Sequence, residues 1–446
     1  MKHLTIVFLV LLWGISSFAQ ENRKQYTKKE GLPGNCVFNI YEDSQKRIWI
    51  STDKGIACFD NEAWKTFPET AGKIESGVRY SFLEDAKGNL WIYSTESSTG
   101  IVFYDNNAFI LYNKSTGLSD NTVNSLFFDP IGRLWVLPEN PKNGLSMFDG
   151  NRWNKYDVKI GTAVYDYPSV LFNGNALWFY SLTEGITLFD GEKMMKFDTS
   201  NGFPDNQIVG VCIDKDHKVW VAVKNAVAVY DNSKWVIYNT QNSKIPSEKI
   251  TRIFQDVDEL ICISTGKTHA KFVNGQWEPY QLKKINKEDE ILYFKEDGAG
   301  NLWYVTRNEF VLMKGGEEIH YAAIDEFQRD AYWFHLFPDG RIMLRLTLSY
   351  TADEVFYVFD KKEWTLQKMP KIADWKKGFI EQYTIDSHEV LWFASLYNGL
   401  KSFDGANWKL YKKSEGFFSD DIYSVIYDSK NRLWVGSKDN GLVIME

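Results

Sequence analysis

The stretch EDAKGNLWIYST, residues 84–95, contains the pattern that repeats along the whole chain: an acidic turn, then a short apolar segment built around tryptophan. The position of this tryptophan recurs at Trp49, Trp91, Trp135, Trp178, Trp220, Ile261, Trp303, Met343, Trp392 and Trp434. Successive positions are 42, 44, 43, 42, 41, 42, 40, 49 and 42 residues apart. A period in this range, with several strands in each unit, is typical of propeller blades.

Each repeat predicts four strands. In the second unit we expect strands over 78–83, 90–93, 100–104 and 109–112, separated by turns rich in Asp, Asn and Gly. The first strand is apolar on nearly every residue, as in VNSLFF and IYSVIY, which predicts that both of its faces are buried. The aspartate of the acidic turn can cap backbone amides. The sequence therefore predicts an all-β fold, a single β-propeller of about ten four-stranded blades.

The two ends of the chain carry complementary parts of one unit. The last repeat stops after its third strand, at 441–444, while residues 23–31 parallel the fourth strand and link at 408–416. We therefore predict that the N-terminal strand completes the last blade and closes the ring, which removes exposed sheet edges. Two alternatives remain: a split into seven and three blades would leave three blades unclosed, and two rings of five would need a boundary near residues 235–250 and a second closing strand.

The N-terminus has the features of a secretory signal peptide, predicted over residues 1–19, with the propeller over 20–446. Lys2 precedes an apolar run at 4–15, and Ser17-Phe18-Ala19 supplies small residues at the cleavage site. A membrane span needs about 20 apolar residues, so an uncleaved anchor is the weaker alternative. The net charge of -8 argues against nucleic acid or an anionic membrane as partner. We expect a periplasmic or secreted protein.

The four cysteines are predicted to be free thiols. Cys36 and Cys58 belong to the first and third strands of one unit, and a middle strand separates them. Two strand spacings of about 4.8 Å place their backbones too far apart for an easy disulfide.

The repeat resembles a known family. In the first unit its pattern consists of Gly31-Leu32, Asn35, Val37, Ile40, Asp43, Ile48-Trp49, Thr52, Gly55-Ile56 and Phe59-Asp60. This pattern resembles the two-component regulator propeller repeat of Bacteroidetes. In that family, such propellers form the periplasmic sensing part of hybrid histidine kinases, many of which respond to oligosaccharides. The resemblance therefore implies a sensing role for this propeller. Because the sequence ends at the last repeat, without kinase motifs, we expect at most ligand binding and no signalling by a kinase of its own.

The acidic pairs and histidines do not assemble a recognisable catalytic or metal site. Neighbouring residues of a strand point to opposite faces, so pairs such as Glu84-Asp85 cannot flank one bond. Asp214-Lys215-Asp216 lacks the further oxygen ligands of a calcium loop. His388-Glu389 lacks the second histidine of a zinc helix, and His217 also lies in an acidic turn. We predict no catalytic residue, no metal and no cofactor.

Ligand contacts are expected where the repeat varies. The links between blades and the turns between the second and third strands share one rim, and divergent loops on a fixed scaffold suit recognition. The candidates there are planar or cationic: Arg79, Tyr180, Arg307, Tyr397 and Lys438. Arginine matches carboxylates and tyrosine rings suit sugar faces. The repeated tryptophans are expected to pack between blades instead, and ordinary solvated loops are the alternative for each candidate.

These features predict an exported, non-enzymatic binding protein that recognises a glycan or another polar ligand across the rim. Two alternatives remain from the sequence. One is a protein-interaction scaffold in an envelope or secretion complex, with an envelope protein as its partner. The other is a propeller lyase or hydrolase that draws its residues from several blades.

Overall fold

The computed structural model describes residues 23–67, 70, 72–158, 169–231, 233–246, 249–255, 259–265, 268–280, 291–296, 302–306, 309–314, 317–322, 331–336, 341–347, 354–359, 364–367 and 380–446. Within these residues the regular structure consists of short strands and single turns of 3₁₀ helix. The predicted signal peptide lies outside the described residues. No helix of the described part is long and apolar enough to cross a membrane.

The strands pair into four-stranded antiparallel sheets, numbered here by the chain order of their first strands. Sheets 1 to 5 contain Val37–Glu42, Ile48–Thr52, Gly55–Asp60 and Ala63–Thr66; Ser81–Glu84, Leu90–Tyr93, Ile101–Tyr104 and Phe109–Tyr112; Val123–Phe128, Leu134–Pro138, Leu145–Phe148 and Trp153–Tyr156; Ser169–Asn173, Ala176–Tyr180, Ile186–Phe189 and Met194–Phe197; and Ile208–Ile213, Val219–Val223, Ala226–Asp231 and Lys234–Tyr238.

Five further sheets follow in the same order. Sheets 6 to 9 contain Arg252–Gln255, Ile261–Ser264, His269–Val273 and Gln276–Tyr280; Ile291–Glu296, Leu302–Thr306, Glu309–Lys314 and Glu317–Ala322; Ala331–Leu336, Ile342–Thr347, Glu354–Phe359 and Trp364–Gln367; and Ile380–Ile385, Leu391–Ser395, Gly399–Phe403 and Trp408–Tyr411. Sheet 10 contains Ile422–Tyr427, Leu433–Ser437, Leu442–Met445 and the N-terminal strand Arg23–Tyr26. This is the propeller-like repetition that the sequence predicts.

The N-terminal strand pairs with the last strand of the chain, as predicted. Tyr26 lies opposite Leu442 and Arg23 opposite Met445 in an antiparallel ladder. The parallel between the two chain segments extends to the link that follows, because Lys28–Glu30 and Lys413–Glu415 both form 3₁₀ turns. A 3₁₀ turn also occurs at Thr199–Asn201 in the link between sheets 4 and 5, and another, Pro141–Asn143, lies in the turn between the second and third strands of sheet 3.

The first strands are less buried than the sequence predicts. Every residue of Ile48–Thr52, the second strand of sheet 1, is buried, whereas the first strand Val37–Glu42 is buried at two of its six residues. A first strand is an edge strand with one hydrogen-bonded neighbour, so its apolar residues are covered less completely. In sheet 2 the first strand also begins later than expected, at Ser81. There the carbonyl of Tyr80 accepts hydrogen bonds from the side chains of Asn39 and Ser51 instead of joining the ladder.

The tryptophan of the second strand is bonded to the aspartate of its own acidic turn. In sheet 10, Asp428 accepts the backbone N–H groups of Lys430 and Arg432 through Oδ1, and the indole N–H of Trp434 through Oδ2 at 2.7 Å. The same aspartate-to-indole bond occurs at Trp49, Trp135, Trp220 and Trp392. The aspartate therefore caps the turn, as predicted, and also satisfies a buried donor six residues later, which the sequence analysis missed.

Neighbouring sheets share apolar cores. Buried side chains from two successive sheets form one cluster at eight boundaries: sheets 1–2, 2–3, 3–4, 4–5, 5–6, 8–9, 9–10 and 10–1. The glutamate of the acidic pair adds a polar link across such boundaries. Glu84 of sheet 2 accepts the N–H and O–H of Ser44 in sheet 1, and Glu42 of sheet 1 accepts the same groups of Ser429 in sheet 10. The first and last sheets are thus joined as two consecutive sheets are.

The cysteines are free thiols, as predicted. Cys58 and Cys262 are buried, and Cys36 and Cys212 are partly buried. Burial raises the pKa of the Cys58 thiol to about 12, which keeps it protonated and unreactive.

Candidate functional site

A β-bulge interrupts the first strand of several sheets at the same place. The register shifts between Val37 and Asn39 in sheet 1, and an equivalent shift is found in sheets 3, 5, 7, 8, 9 and 10. One residue is therefore left over at each position, and a bulge turns the side chain of that residue away from the regular alternation. In sheets 1, 9 and 10 the extra residues are Phe38, Glu381 and Tyr423.

Arg79 contacts all three of these bulge residues from the start of sheet 2. Its guanidinium carbon lies 4.8 Å from the ring centroid of Tyr423 and 5.9 Å from that of Phe38. Arg79 Nη1 donates to Glu381 Oε2 at 3.0 Å. The two rings are themselves 5.6 Å apart. Four groups from four sheets thus form one cluster, which we call the Arg79 cluster: Phe38, Arg79, Glu381 and Tyr423.

The cluster has open hydrogen-bonding capacity. A guanidinium carries five N–H donors, and the Arg79 side chain is 36% exposed. Among the described residues, its side chain bonds one acceptor, Glu381, which is itself 21% exposed. The backbone N–H of Arg79 is held separately by the Glu96 carboxylate at 3.2 Å. The Arg79 cluster therefore presents donors and acceptors side by side, next to two aromatic faces.

Two other sequence candidates lie together at the same rim. Tyr397 is exposed, and Lys438 Nζ lies 5.9 Å from its ring centroid. Asp421 links them, because its carboxylate accepts the N–H of Tyr397 and its carbonyl accepts that of Lys438. Burial raises the pKa of the Tyr423 phenol, and the positive charges of Lys438 and Arg79 partly oppose this shift.

The remaining two candidates do not join this group. Tyr180 ends the second strand of sheet 4, is half-buried, and packs against the core shared with sheet 5. Arg307 lies outside the described residues. The structure therefore brings Arg79, Tyr397 and Lys438 into one region, at the boundaries of sheets 9, 10, 1 and 2.

Sequence reasoning missed Phe38, Glu381 and Tyr423. All three lie on first strands, which the apolar pattern assigned to the core. The sequence does indicate that this position is unusual, because the second residue of the first strand varies between repeats. The residues there are Phe38, Arg79, Asn124, Val209, Glu381 and Tyr423. A position that varies between Phe, Arg and Glu is not typical of a core.

The described residues offer little for metal chemistry. Within them, no three His, Cys, Asp or Glu side chains are grouped so that they could hold a metal ion. His217 and His388 are exposed in their acidic turns, as expected. His269 on the third strand of sheet 6 is instead buried, and its Nδ1 has no hydrogen-bond partner among the described residues.

His269 should make the fold sensitive to acid. Burial lowers the pKa of His269 below its ordinary value of 6.5, so the unfolded chain binds a proton more readily than the folded one. Its contribution to stability is therefore full above about pH 6.5 and is lost progressively as the pH falls below that value. Thermal unfolding between pH 7.5 and 5 should show a smaller decrease in Tm for His269→Leu than for the wild type. The exposed control His388→Gln should follow the wild type; equal slopes for all three proteins would contradict the assignment.

Comparison with known protein families identifies the same repeat that the sequence pattern indicates. The family model for the two component regulator propeller matches residues 31–54 and 416–439. The chain therefore carries two component regulator propeller repeats at these two segments, one on each side of the boundary between sheets 1 and 10. The segments include Phe38, Tyr423 and Lys438. No curated protein matches the chain.

Among solved structures, the chain is similar to extracellular domains from Bacteroides thetaiotaomicron. One, of the one component system BT4673, is 16% identical, with a TM-score of 0.36 over 81% of this chain and 56% of that one. Another, of the hybrid two component system BT3049, is 14% identical, with a TM-score of 0.30 over 94% and 70%. The chain thus spans little more than half of the first structure.

A third structure is that of PorZ, described as a surface component of the type-IX secretion system of Porphyromonas gingivalis. It is 10% identical, with a TM-score of 0.27 over 95% of this chain and 86% of that one. Identities and TM-scores this low identify no shared ligand or partner.

Proposed function

We propose that this protein is an exported, non-enzymatic β-propeller that binds a glycan or a similar hydroxyl-rich ligand at the Arg79 cluster. The observation that carries the proposal is the meeting of Arg79 with three bulge residues from three other sheets. Such a meeting places a partly exposed ion pair and two aromatic rings at one point. Tyr397 and Lys438 extend this surface along the rim, and Tyr180 and Arg307 remain candidate contacts elsewhere on it.

The chemistry of the cluster suits a sugar. A pyranose has an apolar C–H face, which packs on aromatic rings, and hydroxyls that both donate and accept. Arg79 supplies donors and Glu381 supplies acceptors at neighbouring positions, so adjacent hydroxyls could bond both without either ion losing its partner. Charge-assisted hydrogen bonds of this kind are stronger than neutral ones.

We further propose that the ten sheets form a single closed ring, with the signal peptide at 1–19 directing the chain to the periplasm or the cell exterior. Closure is supported by the pairing of the two chain ends and by the Glu42–Ser429 link, which repeats the Glu84–Ser44 link. In such a ring we expect the first strands of the sheets to surround the central opening, with the Arg79 cluster at its rim.

Arg79→Gln should weaken ligand binding strongly. Loss of hydrogen bonds to a charged donor costs about 1.5–3 kcal/mol, or about 10- to 100-fold in Kd. The mature protein is first screened against neutral and acidic oligosaccharides by calorimetry, and the variant is then titrated with the ligand found. Arg152→Gln is the matched control, because Arg152 is an exposed arginine of a turn in sheet 3 paired with Asp149.

Two further measurements make this test sharp. Lys438→Ala, which alters the rim outside the ion pair, should reduce binding less than Arg79→Gln does. Thermal unfolding of each variant separates loss of binding from loss of fold. A wild-type protein that binds none of the oligosaccharides would count against the proposed function, as would an Arg79→Gln variant that binds as tightly as the wild type.

A further inference from the structure

The side chain at the bulge of sheet 9, Glu381, forms an ion pair with Arg79. Its Oε2 accepts from Arg79 Nη1 at 3.0 Å, and a guanidinium presents a limited number of edges to an acid group. The register shift between Ile380 and Gln382 places this residue. Sheet 9 is separated from sheet 2 by sheets 10 and 1, so this contact is made across the first strands and not within one sheet.

We infer that Glu381 is a charge-selectivity residue, which makes the Arg79 cluster accept neutral sugars and reject sugars that carry a carboxylate. This inference rests on the proposed function and deepens it by naming the ligand class. A uronate that paired with Arg79 would displace Glu381 and leave a partly buried carboxylate without its cation, which is costly. If both acids stayed, two like charges would share one guanidinium, which disfavours the complex.

Among the described residues, the ion-pair partner of Glu381 is Arg79. The Lys438 ammonium lies 5.9 Å from the centroid of the Tyr397 ring, and its backbone N–H donates to the carbonyl of Asp421. Three neighbouring carboxylates are engaged by backbone N–H groups: Glu96 accepts that of Arg79, Asp53 accepts that of Cys36, and Asp421 accepts that of Tyr397. Removing the charge of Glu381 should therefore release Arg79 while leaving these contacts in place.

The matched ligands for the test are oligogalacturonate and its methyl ester, which share one sugar backbone and differ in charge. Calorimetric titration of the wild type should show at least 10-fold tighter binding of the ester. Glu381→Gln should raise the affinity for oligogalacturonate at least 10-fold and so reverse or abolish the preference. The double variant Glu381→Gln with Arg79→Gln should lose that gain. Glu84→Gln, a glutamate that links sheets 1 and 2 away from the cluster, is the control and should keep the wild-type preference.

The outcomes separate the two proposals. The wild type could bind neither ligand while Glu381→Gln gains oligogalacturonate binding that depends on Arg79. That result would support the selectivity role of Glu381 and would count against glycan recognition by the wild type. If Glu381→Gln gains no affinity for oligogalacturonate while remaining folded, the inference is overturned. Equal affinity of the wild type for both ligands overturns it as well.

Discussion

Asp428→Ala is expected to lower the free energy of unfolding by about 3–5 kcal/mol, because breaking this buried ion pair leaves the Arg432 guanidinium with only the exposed Glu62 carboxylate as its ion-pair partner among the described residues. Asp428 is 2% exposed. Its carboxylate bonds four donors: two backbone N–H groups, the indole of Trp434 and Nε of Arg432. Alanine leaves each of these donors without its acceptor. The guanidinium of Arg432 also lies 5.0 Å from the Trp434 ring centroid, so the packing of that tryptophan depends on the same group.

The matched control is Asp85→Ala in sheet 2. Asp85 caps the same turn through the N–H groups of Lys87 and Asn89, but its second oxygen bonds the Asn89 side chain. The indole N–H of Trp91 has no partner among the described residues. The control therefore loses the turn cap and one neutral side-chain hydrogen bond, but no indole or guanidinium bond, and we expect a cost of about 1–2 kcal/mol. Urea denaturation of both variants measures the difference, and equal losses would show that the indole and guanidinium bonds add nothing to the turn cap.

The repeat could be predicted from the sequence because each strand and turn has a local pattern. The pairing of the chain ends then follows from the repeat, because each end carries the part of one unit that the other end lacks. Alternation of apolar segments with Asp- and Gly-rich turns marks each strand, and the missing fourth strand of the last unit is matched by residues 23–31. The aspartate-to-indole bond could also have been found, since Asp43 and Trp49 are separated by the same six residues as Asp428 and Trp434.

The Arg79 cluster could be predicted in part. The sequence indicates Arg79, Tyr397 and Lys438 because each is a cationic or aromatic residue at a position where the repeat varies. Glu381 and Tyr423 were missed because their position depends on a shift in strand register, and register is decided by cross-strand pairing that a single segment does not contain. Their approach to Arg79 depends further on the packing of sheets 9, 10, 1 and 2, which are far apart in the chain.

The largest loss of stability is expected from removal of the N-terminal strand. Tyr26 is buried between Phe59 and Trp64 of sheet 1, with ring centroids 5.7 and 5.8 Å away, while its backbone pairs with Leu442 of sheet 10. This residue therefore holds the first and last sheets together through both its side chain and its backbone. Tyr26→Ala alone should cost about 3–5 kcal/mol, the usual range for truncating a buried aromatic residue.

Deletion of residues 20–26 from the mature protein should cost more, because the ladder with Leu442–Met445 is lost and a sheet edge is exposed. We expect a Tm lower by more than 10 °C and aggregation in size-exclusion chromatography, measured beside Lys24→Ala, an exposed change in the same strand that should shift the Tm little. Other neighbouring sheets are joined by the chain that runs from the last strand of one to the first strand of the next. Sheets 10 and 1 are joined by the chain only because the N-terminal strand belongs to sheet 10 and leads into sheet 1. A truncated protein with unchanged Tm would mean that the chain ends do not hold the proposed ring closed. The Arg79 cluster, which needs sheets 9, 10, 1 and 2 side by side, would then lose its physical basis.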